Sequence, residues 1–522
     1  MSVRSVVGQL NLADAVRREL ALHNRLLPPR WDHLALVPEH ERVEAALRPL
    51  LRRGPSGVRA DIVYCNKGWR GVRPLHVMPL GDRILYRALV DKIAKALPEH
   101  LQAREPVGDF RVAPIEHPGV SHISQTDVAA YYEFIDHEIL ANELVGQTGE
   151  EPTVEVLMDL LCGTMGRRVG IPQVHTASDR LGDTYIDRAR RRLVRAGYAT
   201  WTYADDFRIA STSLGQAREA LEACSREVRE LGLVLNERKT FTYGEGRYLK
   251  SLTSFADAER ELFAQGATEG ASDSLGFLDQ DYTDADEPIA TLGAEPLDQG
   301  VDDDEVVSED LTPNAELDHR RVAAASRAWD LWLDEDESEQ VQAGQEAAIT
   351  QSLLGRALPT LGLAGEEAPL EHVDDILRFE PALTPQVMTY LTNLAATGSE
   401  ARSRIRRSLD VLVAEDIYSP WQCMWLAQTA GSFRRSGSRH RYEDWLAECV
   451  ASSPHDGLAA TAAAALGRIG RGDPTFVMAA VDRVSPGWRT LAFWGLIGLD
   501  RAKAQDVADD KLDRLLLEVT EQ

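Results

Sequence analysis

Cysteine is scarce in this 522-residue chain. There are five (Cys65, Cys162, Cys224, Cys423 and Cys449), odd in number, scattered, and without a CxxC pair. That pattern excludes a disulfide framework and offers no structural-zinc spacing. Long apolar runs are missing too. No stretch approaches the length a membrane span needs, and the opening MSVRSVVGQLNLADAVRREL lacks the apolar core of a signal peptide. The expectation is a cytoplasmic protein with no membrane contact. Positive charge is also short, with a net charge of −26. Taken alone, this speaks against a nucleic-acid binder, because Lys and Arg contacts to phosphate supply most such affinity.

The shortage is local. Residues 1–250 carry 35 Lys+Arg against 33 Asp+Glu, or +2, and the remainder carries 22 against 50, or −28. Segment 271–318 holds sixteen acidic residues and no basic one. Like charges, prolines and few apolar residues cannot offset chain entropy, so this segment is predicted to be a linker or insertion, disordered in part. An acidic mimic that blocks a basic groove in cis is the alternative. The chain exceeds the size at which one core keeps growing, and it divides into 1–250, a mixed region; 251–318, an acidic connection; and 319–522, helical throughout. In the last, LAATAAAALGRIG and RTLAFWGLIGLD put small residues on one face and Leu or Ile on the other. Such faces suit antiparallel helix pairs stacked as a HEAT-like array. An irregular bundle is the plainer alternative, since no strict period emerges.

The chemistry lies in the first region. WTYADDFRIAS (201–211) sets bulky residues around a paired carboxylate, which predicts a β-hairpin presenting Asp205 and Asp206 at its turn. Two adjacent acids repel, and a compact divalent cation such as Mg²⁺, which prefers carboxylate oxygens plus substrate phosphates, relieves that cost. HISQTDVAAYYEFIDHEIL (122–140) reads as a short strand ending at Asp127 and running into a helix. If that strand lies beside the hairpin, Asp127 joins Asp205 to hold two metals. GIPQVHTASDRLGDTYIDRARRRLVRAG (170–197) is a turn followed by a helix that starts near Ser178 or Asp179, either of which could cap it. Leu181, Tyr185, Ala189 and Leu193 form its buried stripe. Arg188, Arg191, Arg192 and Arg195 lie on another face, which is either a solvated face or a phosphate-binding one.

Taken together, these segments resemble the fingers and palm of a reverse transcriptase over 73–240. DVAAYYEFIDH is similar to motif A, GIPQ…S to motif B, YADD to motif C and LGLVLNERKT (231–240) to motif D, in the family's order. VRPLHVMPLGDRILYRAL (72–89) resembles the fingers segment. The resemblance implies an α+β right-hand fingers and palm, followed here by the all-α C-terminal domain. It implies Asp127 and Asp205 as ligands of two Mg²⁺ ions, for which Mn²⁺ can substitute, with Asp206 supporting them and Val128 lending its backbone carbonyl. Tyr132 matches the aromatic gate that excludes a 2′-hydroxyl and so favours dNTPs. Gln173 matches the motif B residue near the incoming nucleotide, and Lys239 matches the motif D lysine that assists pyrophosphate departure. Arg73 and Arg83 match fingers positions that approach the nucleotide, with Lys67 and Arg70 as further basic candidates. The implied partners are dNTPs and an RNA template or DNA product.

The chain departs from the pattern in two places. Val174 and His175 stand where the family usually has glycine after Gln173, which puts templated synthesis in question, and no thumb or primer-grip pattern is legible in FTYGEGRYLKSLTSFADAERELF. Also absent are a His-Asn-His nuclease framework, a maturase extension, a Val-Thr-Gly after motif D, and an RNase H or protease segment. A compact palm followed by a long helical C-terminus resembles the bacterial defence-associated and abortive-infection reverse transcriptases. This implies antiphage defence, with synthesis that is RNA-directed or untemplated and protein-primed. The helical domain would serve as thumb substitute, homo-oligomer contact or partner platform. A nucleic-acid-binding scaffold whose helical domain recruits partners, with little or no polymerase activity, is the alternative from another class.

Overall fold

The structure, a computed structural model, describes residues 2–22, 24–67, 71–104, 106–252, 319–334, 345–433 and 438–520. The acidic segment 271–318 and Arg70 therefore lie outside the described residues. Four N-terminal helices, α1 (Val3–Val7), α2 (Leu12–Ala21), α3 (Trp31–Leu36) and α4 (His40–Leu51), lead into an antiparallel hairpin of β1 (Asp61–Asn66) and β2 (Val72–Val77). Helices α5 (Leu80–Ala94), α6 (Glu99–Gln102) and α7 (Val107–Val112) follow, then β3 (His122–Asp127), α8 (His137–Thr148), α9 (Glu151–Met165) and α10 (Thr176–Arg195). The chain next makes β4 (Ala199–Tyr203), β5 (Asp206–Ser211), α11 (Leu214–Arg229) and β6 (Phe241–Gly244).

Strands β3 to β6 form one antiparallel sheet in the order β4-β5-β3-β6. Ile123, Phe207 and Ile209 are fully buried in this sheet, and α10 and α11 pack against it. The alternation of bulky and polar residues in the 201–211 segment thus does produce a hairpin, with Tyr203 opposite Asp206 and Ala204-Asp205 as its two-residue turn. The expected stripe of α10 is also buried: Leu181, Tyr185, Ala189 and Leu193 are each at most 1 % exposed.

The start of α10 differs from the expectation. The helix begins at Thr176, and His175 is its cap, with Nδ1 accepting from the Ala177 N–H at 3.3 Å. Ser178 and Asp179 are used elsewhere. The Ser178 hydroxyl shares a 2.8 Å hydrogen bond with Tyr86 of α5, and the Asp179 carboxylate accepts from Tyr132. Long-range partners outcompeted local capping for those two side chains.

The C-terminal region is all helix in its described residues: α12 (His319–Asp334), α13 (Gln345–Ala364), α14 (Val373–Phe379), α15 (Thr384–Ala396), α16 (Ser399–Leu412), α17 (Pro420–Gly431), α18 (Arg441–Ser452), α19 (Asp456–Ile469), α20 (Pro474–Arg483), α21 (Pro486–Leu499), α22 (Arg501–Val507) and α23 (Lys511–Val519). Helices α13, α15, α17, α19 and α21 each pack on the next, and α16, α18 and α20 form a second row beside them. Small residues set the spacing. A Cβ added at Gly467 of α19 or Gly495 of α21 would collide with the backbone of the facing helix, so the two helices touch almost backbone to backbone.

One continuous apolar core runs through both regions. The helical array docks on the β1–β2 hairpin and on the segment around 24–36. Trp488 Nε1 donates to Asp61 Oδ2 at 2.7 Å, Ser419 Oγ to Asn66 Oδ1 at 2.6 Å, and Trp421 Nε1 to the Leu26 carbonyl. Trp31 stacks on Trp494 with ring centroids 5.8 Å apart. At the centre Arg30 binds Asp32 through Nε (3.1 Å) and Nη2 (2.6 Å) and reaches the Gly487 carbonyl at 2.6 Å, while Thr490 Oγ1 donates to Asp32 at 2.7 Å. Burial alone would raise the Asp32 carboxyl, but Arg30 and Thr490 outweigh it and hold the group well below the usual aspartate range. Among the described residues, no helix is long and apolar enough to cross a membrane.

Candidate active site

The site forms where β3 ends against the β4–β5 turn. The register sets Asp127 opposite Asp206, and directly opposed residues of an antiparallel pair share a face with Cβ atoms about 4.5–5.5 Å apart. The Val128 N–H donates to the Asp205 carbonyl at 3.1 Å, locking the turn to the end of β3. Asp127 and Asp205 are 4 % and 6 % exposed, whereas Asp206 is half-buried.

Backbone strain marks the same place. Among the described residues, three non-glycine residues have positive φ: Ala130 (49°), Val174 (55°) and Ala204 (48°). Ala130 lies three residues after Asp127, Val174 follows Gln173, and Ala204 precedes Asp205. Such a backbone costs roughly 1–3 kcal/mol per residue and is worst for a β-branched side chain like Val174. Strain of this kind clusters where surrounding contacts hold a functional geometry. It also gives the departure at Val174 a physical meaning, since glycine would adopt this φ without cost.

Motif D, as the sequence expectation named it, closes over Asp127. Asn236 donates its backbone N–H to the Asp127 carbonyl at 2.7 Å and its Nδ2 to Asp127 Oδ2 at 3.1 Å, and Lys239 Nζ approaches Oδ1 at 3.4 Å. Asp206 Oδ1 takes Arg208 Nη1 at 3.4 Å. The motif B turn is stitched to motif A: the Ile171 N–H donates to the Tyr132 carbonyl and the Gly170 N–H to the Ile135 carbonyl, both at 2.8 Å. Gln173 Nε2 then donates to Glu133 Oε1 at 3.3 Å, and Glu133 pairs with Arg167 at 2.8 Å.

Tyr132 is buried, and its hydroxyl donates to Asp179 Oδ1 at 2.7 Å. Burial first, and the Asp179 charge second, push this phenol well above its usual range, which keeps it a neutral donor. Behind it stands Arg104, a residue that sequence reading missed. Its guanidinium donates to both Asp183 oxygens (2.7 and 2.9 Å) and to the Asp179 carbonyl (3.3 Å), and it lies 5.2 Å from the centroid of the Tyr203 ring. One side chain thus connects the gate candidate, α10 and the acidic turn. Asn236 was missed as well; its only signal is its position inside the motif D stretch.

Arg83 forms an ion pair with the buried Glu19 of α2 (Nε to Oε2, 2.6 Å) and also donates to the Glu19 carbonyl at 2.8 Å. Arg87 pairs with the same carboxylate. Burial works against the Glu19 carboxylate, and neighbouring His175, Arg83 and Arg87 outweigh it and lower its pKa. Arg73 and Lys67 belong to the β1–β2 hairpin, where the Lys67 N–H donates to the Gly71 carbonyl at 2.8 Å. Arg188 and Arg191 share Glu143 of α8 (3.3 and 2.6 Å), and Arg192 pairs with Glu227 of α11 at 3.0 Å. Arg195 donates back to the Arg191 carbonyl at 3.1 Å. Three of these four arginines therefore tie helices together.

The fit of a divalent metal can be tested on this donor set. Among the described residues, no group of three or more His, Cys, Asp or Glu forms a ready cage. Mg²⁺, however, binds through one or two carboxylates plus substrate phosphates and seldom uses an all-protein cage. Asp127 at the end of β3, Asp205 in the β4–β5 turn and Asp206 at the start of β5 are hard oxygen donors of the type it takes. Asp127 and Asp205 are the buried pair that would hold it, with Lys239 and Asn236 now satisfying Asp127.

No family model matches the chain, and no curated protein matches it. Among solved structures it is similar to a telomerase from Candida tropicalis in complex with a TWJ fragment of telomeric RNA, at 9 % identity over 74 % of this chain and 67 % of that one, with a TM-score of 0.29. A telomerase from Candida albicans with the same kind of RNA fragment gives 9 % identity, 72 % and 66 % coverage, and a TM-score of 0.26. The chain spans about two thirds of the length of each. At that degree of superposition the likeness decides neither fold nor chemistry, which rest on the chain's own residues.

Proposed function

We propose that the chain is a nucleotidyltransferase of the reverse-transcriptase kind that uses two Mg²⁺ ions on Asp127, Asp205 and Asp206. The observation that carries this reading is the β3–β5 register, which brings a carboxylate from one segment opposite the paired carboxylates of a strained turn nearly eighty residues later. When bound, the metals would promote attack by a 3′-hydroxyl and offset charge on the leaving pyrophosphate. The chain's own residues do the rest. Tyr132, fixed by Asp179, packs under the sugar and excludes a 2′-hydroxyl, so dNTPs are the substrates. Lys239 gives its proton or its charge to the departing pyrophosphate. Gln173, held by Glu133, lines the nucleotide's place.

Within this reading the product is DNA, made on an RNA template or without one from a protein hydroxyl. The biological setting is antiphage defence in the cytoplasm, and the HEAT-like helical array acts as a platform for a partner or a second copy. A second reading, a nucleic-acid-binding scaffold, draws support from Arg83, whose guanidinium is engaged by Glu19 and not open to a triphosphate.

The test is incorporation of labelled dNTPs by the purified chain with Mg²⁺ or Mn²⁺, with and without RNA. Metal-dependent product should appear and fall by about 10³-fold or more, on the scale of lost transition-state charge stabilisation, in Asp205→Ala, Asp206→Ala. Product unchanged in that variant would refute the assignment, and no product under any condition would favour the scaffold.

A further inference from the structure

A second basic feature lies on the N-terminal helices, outside every contact of the acidic site. An open cavity of about 490 Å³ is lined by Arg4, Ala45, Arg48, Pro49, Arg52 and Arg53. We propose that it is a binding site for the phosphodiester backbone of a nucleic-acid strand.

Its construction follows from the helices. Ala45 and Arg48 lie on one face of α4 and Arg52, which caps the helix, continues that spacing, while Leu47 and Leu51 turn to the core. The α4 terminus is closed by the Arg53 and Gly54 N–H groups donating to the Leu50 and Leu51 carbonyls at 2.9 and 3.0 Å. Gly54 has φ of 103°, and Val3 Cγ1 of α1 lies 2.9 Å from where its Cβ would be. Only glycine lets α1 come this close, and that approach carries Arg4 across to Arg52 and Arg53. Val6 and Val7 anchor α1 in the core.

The charge is nearly uncompensated. Glu44 pairs with Arg48, and no carboxylate among the described residues pairs with Arg4, Arg52 or Arg53. A helix C-terminus stabilises Arg52 and Arg53 by itself, but it gives no reason for Arg4 to join them from another helix. In a chain of net charge −26, four guanidiniums around one cavity with a single acid are an exception that an anion explains. Guanidinium forks match phosphate oxygens, and the cavity has room for more than one phosphate group. The segment that follows α4 is tied to α5 and α9, since Ser56 N–H donates to Asp82 Oδ1 at 2.9 Å and Ala60 N–H to the Thr164 carbonyl at 3.0 Å.

The experiment is fluorescence anisotropy of a labelled single-stranded RNA with the full chain, titrated with salt. Binding needs no catalysis, so the Asp205→Ala, Asp206→Ala chain serves equally well and the outcome is separate from the polymerase reading. Arg4→Gln, Arg52→Gln, Arg53→Gln should make the slope of log K against log salt shallower by about 2, three phosphate contacts at about 0.7 each. The corresponding lysine triple variant should keep the wild-type slope, which excludes misfolding as the cause. Arg218→Gln, Arg226→Gln, Arg229→Gln on α11 matches the charge change and should leave the slope unaltered. A wild-type slope in the first glutamine variant, or an equal loss in the α11 control, overturns the site. Displacement of the RNA by an equal phosphate concentration of free dNTP would assign the cavity to a nucleotide and overturn the strand.

Discussion

The sheet region and the helical array are held together by opposite means. Around Asp127 the backbone is strained at three positions, and the polar side chains there are joined by directed hydrogen bonds and ion pairs. In the array, α19 and α21 meet through glycine and alanine with almost no polar chemistry, and most of α19 is buried. Strain is tolerated where surrounding bonds over-determine the geometry, and close packing is found where nothing but shape is required. The difference separates a part built to hold charges in place from a part built to hold its own form. At the junction between them the array uses the first region's methods, in the Arg30–Asp32–Thr490 network and in the Trp488–Asp61 and Ser419–Asn66 hydrogen bonds.

That junction gives the largest expected change in stability. Asp32→Ala leaves the largely enclosed Arg30 without its carboxylate, and loss of one partner of a buried pair costs up to about 3–5 kcal/mol. Denaturant unfolding should show this loss, and it should loosen the array from the hairpin before either part melts. If the variant is as stable as wild type, the two regions are held by apolar contact alone.

The second change is smaller and falls on the site. Arg104→Lys keeps the charge but loses the fork to Asp183 and the planar contact with Tyr203. Preference for dNTP over NTP, read as a ratio of kcat/KM, should fall about fivefold, equivalent to about 1 kcal/mol, with little change in melting. Unaltered discrimination would mean that Tyr132 is positioned without it.

The smallest concerns pH. Burial drives His175 down to about 4, and burial followed by the Arg30 charge drives His33 well below its usual value. Groups with depressed folded pKa values stabilise the fold above the unfolded value of about 6.5 and lose that contribution as pH falls toward the folded one. Unfolding free energy should therefore drop on the order of 1 kcal/mol between pH 7 and pH 5, and His175→Asn should flatten that slope. A slope that His175→Asn leaves intact would place the titration elsewhere.

Much of the sheet region was legible in the sequence because its signals are local. The alternation in WTYADDFRIAS gives the hairpin, and the spacing of Leu181, Tyr185, Ala189 and Leu193 gives the buried face of α10. The helical character of the described residues within 319–522 was equally plain. Other features depend on contacts distant in the chain and leave no local pattern. Arg104 stands alone in LQAREPVGD, and only the fold brings it to Asp183 and Tyr203. Arg83 reads as an open cation until Glu19 is found beside it. The docking of the array on 24–36 joins residues more than four hundred positions apart, where periodicity is silent.

The central claim, that Asp127, Asp205 and Asp206 form a divalent-cation site completed by nucleotide, is tested most directly by Mn²⁺ binding, followed by electron paramagnetic resonance with and without dATP. The chain should bind Mn²⁺, dATP should strengthen the binding, and Asp205→Ala, Asp206→Ala should abolish the strengthening while remaining folded. Equal Mn²⁺ binding by wild type and variant, with or without dATP, would contradict it.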